Sequence, residues 1–128
     1  MFESTVDNHM KIAKVLAEKL IKKFGDEIEA IVLYGSVARK ETGLESDIDL
    51  LIIVPEGEDI REQILSLTYD VDLEFGAVTS QVYMTPQEFE RYLSWGDPFL
   101  ENVLKEGVII YDRGFYAKVR GSFLKKGK

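Results

Sequence analysis

The chain has no cysteine. That excludes disulfides and thiolate metal sites, and it fits a reducing compartment. Its only histidine, His9, cannot make a metal site alone and reads as a boundary residue of the first helix. No apolar run approaches the roughly 20 residues that span a bilayer. The opening "MFESTVDNHMKIAK" is polar and mixed in charge, unlike a signal peptide. The expectation is a cytoplasmic protein with no membrane contact. Acidic residues are missing from one stretch: Arg113 to Lys128 carries six basic side chains and no carboxylate. The net charge of −7 therefore divides into +6 on that tail and −13 on residues 1–112. An acidic body disfavours a nucleic-acid partner and tolerates a cationic substrate, or a nucleotide screened by metal.

What is present is ordinary for a globular domain: 45% hydrophobic and 30% charged residues over 128 positions. There is no repeat or linker. The reading is one domain over 1–112, with 113–128 as a basic tail. That tail is a frayed terminus, a nucleic-acid arm, or a short docking helix carrying Phe115, Val119 and Phe123 at spacings of four.

Val6, Met10, Ala13, Ala17, Leu20 and Phe24 keep helical spacing, with Gly25 as the stop. "AIVLYG" and "DIDLLIIVP" read as strands. The segment "DIREQILSLTYDVDLEFG" holds two patterns. Ile60, Ile64, Leu67, Val71 and Phe75 form a helical stripe across all of it, whereas a strand-like alternation covers only "YDVDLEF". The longer pattern favours a helix, followed by a strand "AVTSQVYM". Thr85, Pro86 and Glu88 announce a helix start, and Asp97-Pro98 announces another that stops near Gly107. "VIIYD" is a last strand. The order implies an α/β (α+β) domain, one small mixed sheet covered by helices.

The informative stretch is "LYGSVARKETGLESDIDLLIIV". Side chains two apart on a strand share a face, about 6.6 Å apart along the backbone. Asp47 and Asp49 thus present two carboxylates on one side of a strand about to be buried. Bare, they repel; a hard divalent cation such as Mg²⁺ or Mn²⁺ removes the conflict and needs only one or two protein carboxylates. Gly35 and Ser36, just past the preceding strand, suit a phosphate, and Arg39 could reach one with its fork of donors. Either piece alone serves as well to build a turn. Together they suggest phosphoryl or nucleotidyl transfer.

Gly35-Ser36, ten intervening residues and Asp47-Ile48-Asp49 resemble the signature of the DNA polymerase β-like nucleotidyltransferase superfamily. The chain's small size resembles the minimal nucleotidyltransferases, often encoded beside a HEPN-domain partner. The resemblance implies a Mg²⁺-dependent transferase that uses ATP or another NTP. Gly35 and Ser36 would hold the triphosphate, and Asp47 and Asp49 would bind metal. The acceptor would be a hydroxyl on a partner protein or a small molecule; the alternative is a non-catalytic module that inhibits a HEPN ribonuclease by binding. A homo-oligomer is compatible with either. Two departures stand out. Lys40 replaces a customary glycine, and the third carboxylate of the superfamily has no certain counterpart. With the helix reading, the next strand offers Thr79, Ser80 and Gln81 but no acid. With the strand reading, Asp72 takes the catalytic role, with Glu74 behind it.

Overall fold

The computed structural model describes residues 5–38 and 47–126. Among these residues four strands form one mixed sheet in the order β3-β2-β1-β4, and six helices surround it. Helix α1 (Thr5–Phe24) ends at Gly25, whose φ of +52° favours glycine. A short 3₁₀ turn then leads into β1 (Ala30–Tyr34). The four-residue α2 (Gly35–Ala38) follows, and β2 (Ile48–Ile53) lies antiparallel to β1. Helix α3 (Glu58–Phe75) is the crossover that lets β3 (Thr79–Met84) run parallel to β2. Helices α4 (Pro86–Ser94) and α5 (Pro98–Glu106) precede β4 (Val108–Asp112), which pairs antiparallel with β1. Helix α6 (Phe115–Lys126) ends the described chain.

The helix favoured for the ambiguous segment is thus the one that forms, and its end has a clear physical cause. Gly76 adopts φ +64° and its N–H bonds the Asp72 carbonyl, turning the chain back toward the sheet. The predicted stripe needs one correction: Ile64 and Val71 are buried and Ile60 and Leu67 partly so, but Phe75 is exposed at the last turn. In α1 the buried face is wider than the stripe, because Ile12 and Leu16 join Ala13, Ala17, Leu20 and Phe24. The Val6 side chain lies outside the described residues.

Strands β1 and β2 are central and read as nearly continuous apolar runs because both sheet faces are covered. On one face Ile31, Leu33, Ile48, Leu50 and Ile52 pack with α1 and α3. On the other, Val32, Leu51 and Ile53 pack with Phe89 of α4, Leu100 and Leu104 of α5, and Tyr116 of α6. The predicted cap of α4 is a full capping box: Glu88 N–H donates to Thr85 Oγ1 at 3.0 Å, and Thr85 N–H donates to Glu88 Oε1 at 2.9 Å. Asp97 caps α5 by accepting from Phe99 N–H at 2.8 Å. Gly107 is required where α5 meets β1, since a Cβ there would stand 2.9 Å from Val32 Cγ1.

The segment after residue 112 packs rather than trailing. Phe115, Val119 and Phe123 lie against the second core, and Tyr116, outside that spacing, is fully buried. Asp112 anchors the start of α6, its two carboxylate oxygens accepting from Tyr116 N–H at 3.2 Å and Ala117 N–H at 2.8 Å. Among the described residues no helix is long and apolar enough to cross a membrane.

Candidate active site

The end of β1 and the beginning of β2 meet at one end of the sheet. Tyr34, the last residue of β1, pairs with Asp49 of β2, and on the far side Asp49 pairs with Ser80 of β3. Directly paired residues of adjacent strands share a face, so Tyr34, Asp49 and Ser80 form a row across three strands. Asp47 lies two residues before Asp49, and Ser80 Oγ donates to its Oδ2 at 3.2 Å. This row opens on the sheet face that α4, α5 and α6 cover further along, where Leu51 and Ile53 continue the alternation into the core.

Gly35 turns the chain immediately after Tyr34 with φ +75°. A Cβ on this residue would run into Asp49 Oδ2 and stand 3.2 Å from Asp49 Cγ. The backbone of the Gly-Ser turn therefore lies directly on a carboxylate, which only glycine permits. Both halves of the sequence motif are adjacent in space through that contact. Ser36 occupies the second position of α2, but its side chain lies outside the described residues, as does Arg39 with the rest of 39–46.

Beside the turn is a cleft of about 240 Å³ lined by Tyr34, Gly35, Phe99, Asn102, Val103 and Glu106. The Tyr34 and Phe99 rings meet edge to face at 5.1 Å. Burial, and secondarily the Asp49 charge, pushes the Tyr34 hydroxyl above its ordinary pKa, so it stays protonated and available as a donor. A larger cavity of about 550 Å³, between α4 and α6, contains none of the carboxylates of the row.

Asp72 sits on the last turns of α3, not on a strand. Its carboxylate accepts twice from Thr79, from Oγ1 at 2.6 Å and from the backbone N–H at 3.1 Å. It thereby ties the end of α3 to the start of β3, one residue from Ser80. Among the described residues no group of three His, Cys, Asp or Glu side chains is placed to share a metal ion. The residue that stands beside Asp49 on the neighbouring strand is Ser80. Two carboxylates of hard oxygen donors, open to a turn that leaves room only for backbone, fit a cation that takes its remaining ligands from water and phosphate.

Tyr34, Phe99, Asn102 and Ser80 are the contributors that spacing alone does not reveal. Tyr34 was visible only as the residue before the glycine; the others depend on strand register and on α5 folding back over the site.

A mixed sheet that brings a Gly-Ser turn against an Asp-x-Asp strand entrance is the arrangement that the resemblance to nucleotidyltransferases implies. Comparison with known proteins agrees. Residues 11–115 match the family described as polymerase beta, nucleotidyltransferase, and the chain belongs to that family. A Methanocaldococcus jannaschii protein named as a protein adenylyltransferase is 32% identical over 104 residues, spanning 81% of this chain and 99% of its own length. A second so named, from the same organism, is 33% identical over 79% of this chain and 70% of its own. An aminoglycoside nucleotidyltransferase (4′) of Staphylococcus aureus is 35% identical over 42% of this chain and 21% of its own.

Solved structures share the fold. A toxin–antitoxin crystal structure with AMP-PNP aligns with a TM-score of 0.55 at 15% identity, over 88% of this chain and 87% of that one. A complex of a tri-AMPylated Shewanella oneidensis HEPN toxin with an MNT antitoxin aligns at 0.53 and 13% identity, over 91% of this chain and 84% of that one.

Proposed function

We propose that this chain transfers AMP from ATP to a hydroxyl group of a partner protein, with a HEPN-domain protein as the partner class, in the cytoplasm. The observation that carries the reading is the close approach of Gly35 to the Asp49 carboxylate, which sets the Gly-Ser turn beside the Asp47/Asp49 pair. Protein adenylyltransferase is also the name borne by the two archaeal relatives that span most of the chain.

Asp47 and Asp49 would hold Mg²⁺, which when bound neutralises triphosphate charge and aligns the reacting oxygens. The residues of the chain do the rest. The backbone at Gly35 and Ser36 approaches the triphosphate closely. The cleft over Tyr34 and Phe99 takes the nucleoside, the rings giving apolar contact and Asn102 a polar one. Ser80 steadies Asp47 through its hydrogen bond. The acceptor oxygen attacks the α-phosphorus, the bond to the bridging oxygen breaks, pyrophosphate departs, and the acceptor proton passes to water. Asp72, through Thr79, holds the β3 end of the site in place.

The test is incubation of the chain, its co-purified partner and α-labelled ATP with Mg²⁺. Label should appear on the partner, and Asp47→Asn and Asp49→Asn should each abolish it. Transfer that survives both substitutions rules the site out.

Ser80 at the position flanking Asp49, with Asp72 engaged by Thr79, favours a second reading: a nucleotide-binding module that inhibits its partner by occlusion. On that reading no label transfers, and Asp47→Asn leaves inhibition of the partner unchanged.

A further inference from the structure

We infer that the outward face of α3 is a docking surface for a protein partner that presents an amphipathic helix with basic flanks. Seven large apolar side chains are exposed among the described residues, and five of them fall between Leu65 and Val78. Exposed apolar residues scattered singly carry no meaning, but a contiguous set does. Leu65 (56% exposed), Tyr69 (62%) and Leu73 (66%) recur every four residues and so form one row. The buried residues Ile64, Thr68 and Val71 occupy the opposite side of the same helix. A surface helix ordinarily places polar side chains where this row stands.

The charge around the row selects the occupant. Helix α3 carries Glu58, Asp59, Glu62, Asp70, Asp72 and Glu74 against its own Arg61, a net charge of −5, and of these carboxylates Glu74, beyond the row, is paired with Lys19 of α1 at 3.4 Å. Arg61 is already within 3.5 Å of Glu88 on α4. Helical spacing places Glu58 and Glu62 at the head of the row, and the exposed Ser66 and Asp70 flank it. A second copy packed face to face would bring these carboxylates against one another. A helix with apolar anchors at i, i+4 and i+8 and lysine or arginine beside them meets both the row and its rim.

The row also leads toward the site. Leu73 adjoins Asp72, whose carboxylate holds Thr79, and the next residue, Ser80, donates to Asp47. A partner on this face would lie at the end of the sheet that bears the carboxylate pair. The inference adds a binding surface to the proposed transfer, but it rests on α3 alone and is read without nucleotide. Failure of the transfer reading leaves the binding result standing, and the reverse also holds.

The probe is a synthetic amphipathic helix of about 20 residues, leucines on one face and lysines beside them, with a fluorophore. A second peptide carries glutamate in place of lysine. Binding to the full chain is followed by fluorescence anisotropy. The lysine peptide should bind at micromolar concentration and the glutamate peptide at least about tenfold more weakly. Leu65→Ser with Leu73→Ser should weaken the lysine peptide by about tenfold or more, with an unchanged far-ultraviolet circular dichroism spectrum showing that the variant is folded. Glu62→Lys with Asp70→Lys, which leaves the row intact, should reverse the preference between peptides. Equal binding of both peptides, or unchanged affinity in the serine variant, overturns the proposal. So does a dimer in sedimentation that the serine variant converts to monomer, because a second copy would then own the face.

Discussion

Replacing Gly35 by alanine probes the feature on which the site depends. Two separate penalties follow from the geometry. The residue has φ +75°, where an L side chain costs about 1–2 kcal/mol. The new Cβ also runs into Asp49 Oδ2 and lies 3.2 Å from its Cγ. Forced overpacking of this kind typically costs about 1–3 kcal/mol. The sum is about 2–5 kcal/mol, which for a domain of this size lowers the melting temperature by on the order of 10 °C. The two penalties can be separated, because only the second depends on Asp49. In an Asp49→Ala background the alanine at 35 has no carboxylate to meet, and only the φ penalty remains. A double-mutant cycle by urea denaturation should therefore return a coupling of about 1–3 kcal/mol. Additivity within about 0.5 kcal/mol would refute the close approach, and with it the argument that turn and carboxylates form one site. Gly35→Ala should also lose the proposed AMP transfer, since Asp49 cannot keep its position. Wild-type transfer in a variant with the full coupling would show that Asp49's placement does not matter to the chemistry.

Three further outcomes are expected. Asp72→Ala removes two hydrogen bonds to Thr79 and leaves the Thr79 donors to find water; stability should fall by about 1–3 kcal/mol. If Asp72 acts by holding β3, Asp72→Asn, which retains an acceptor for Thr79, should recover most of both stability and transfer; if its charge is needed, transfer stays lost. Thr85→Ala breaks the α4 capping box and should cost about 1 kcal/mol in thermal denaturation. At high pH, burial pushes the Tyr116 hydroxyl up to about 12, the nearby Arg120 opposing and Asp112 adding to the shift. Below pH 10 both folded and unfolded chains keep this proton, so the contribution to stability is complete. Between 10 and 12 only the unfolded chain loses it, and stability falls as pH rises, by on the order of 2–3 kcal/mol in full. Urea midpoints measured across that range should fall more steeply for the wild type than for Tyr116→Phe; parallel slopes would contradict the burial of the hydroxyl.

The parts of this molecule that the amino-acid order announces are those whose cause is local. Thr85-Pro86 with Glu88, and Asp97-Pro98, start helices because a cap needs only its own first turn. The stripe through Ile60, Ile64, Leu67 and Val71 distinguishes helix from strand because it is longer than the competing alternation. The candidate site is legible to the same extent. Gly35, Ser36, Asp47 and Asp49 come in two short runs, each meaningful within a few residues, and their spacing is what the family resemblance rests on. Arg39 belongs to the same run but falls outside the described residues.

What spacing does not reveal is whatever the sheet assembles from a distance. Ser80 faces Asp47 because β3 pairs with β2 in one register; a slip of one residue would turn Thr79 to that face instead. Asp72 meets Thr79 because Gly76 folds the chain back on itself, a contact that neither the helical nor the alternating pattern encodes. The outward row on α3 is hidden for a related reason. Leu65, Tyr69 and Leu73 fall outside the stripe that the spacing picks out, and they become informative only once Ile64 and Val71 are seen to fill the buried face. An apolar row left over after the core is complete must be stabilised by something outside the chain, or else remain a source of aggregation. The carboxylates along it favour the first outcome, because they discourage the self-association that the row alone would promote.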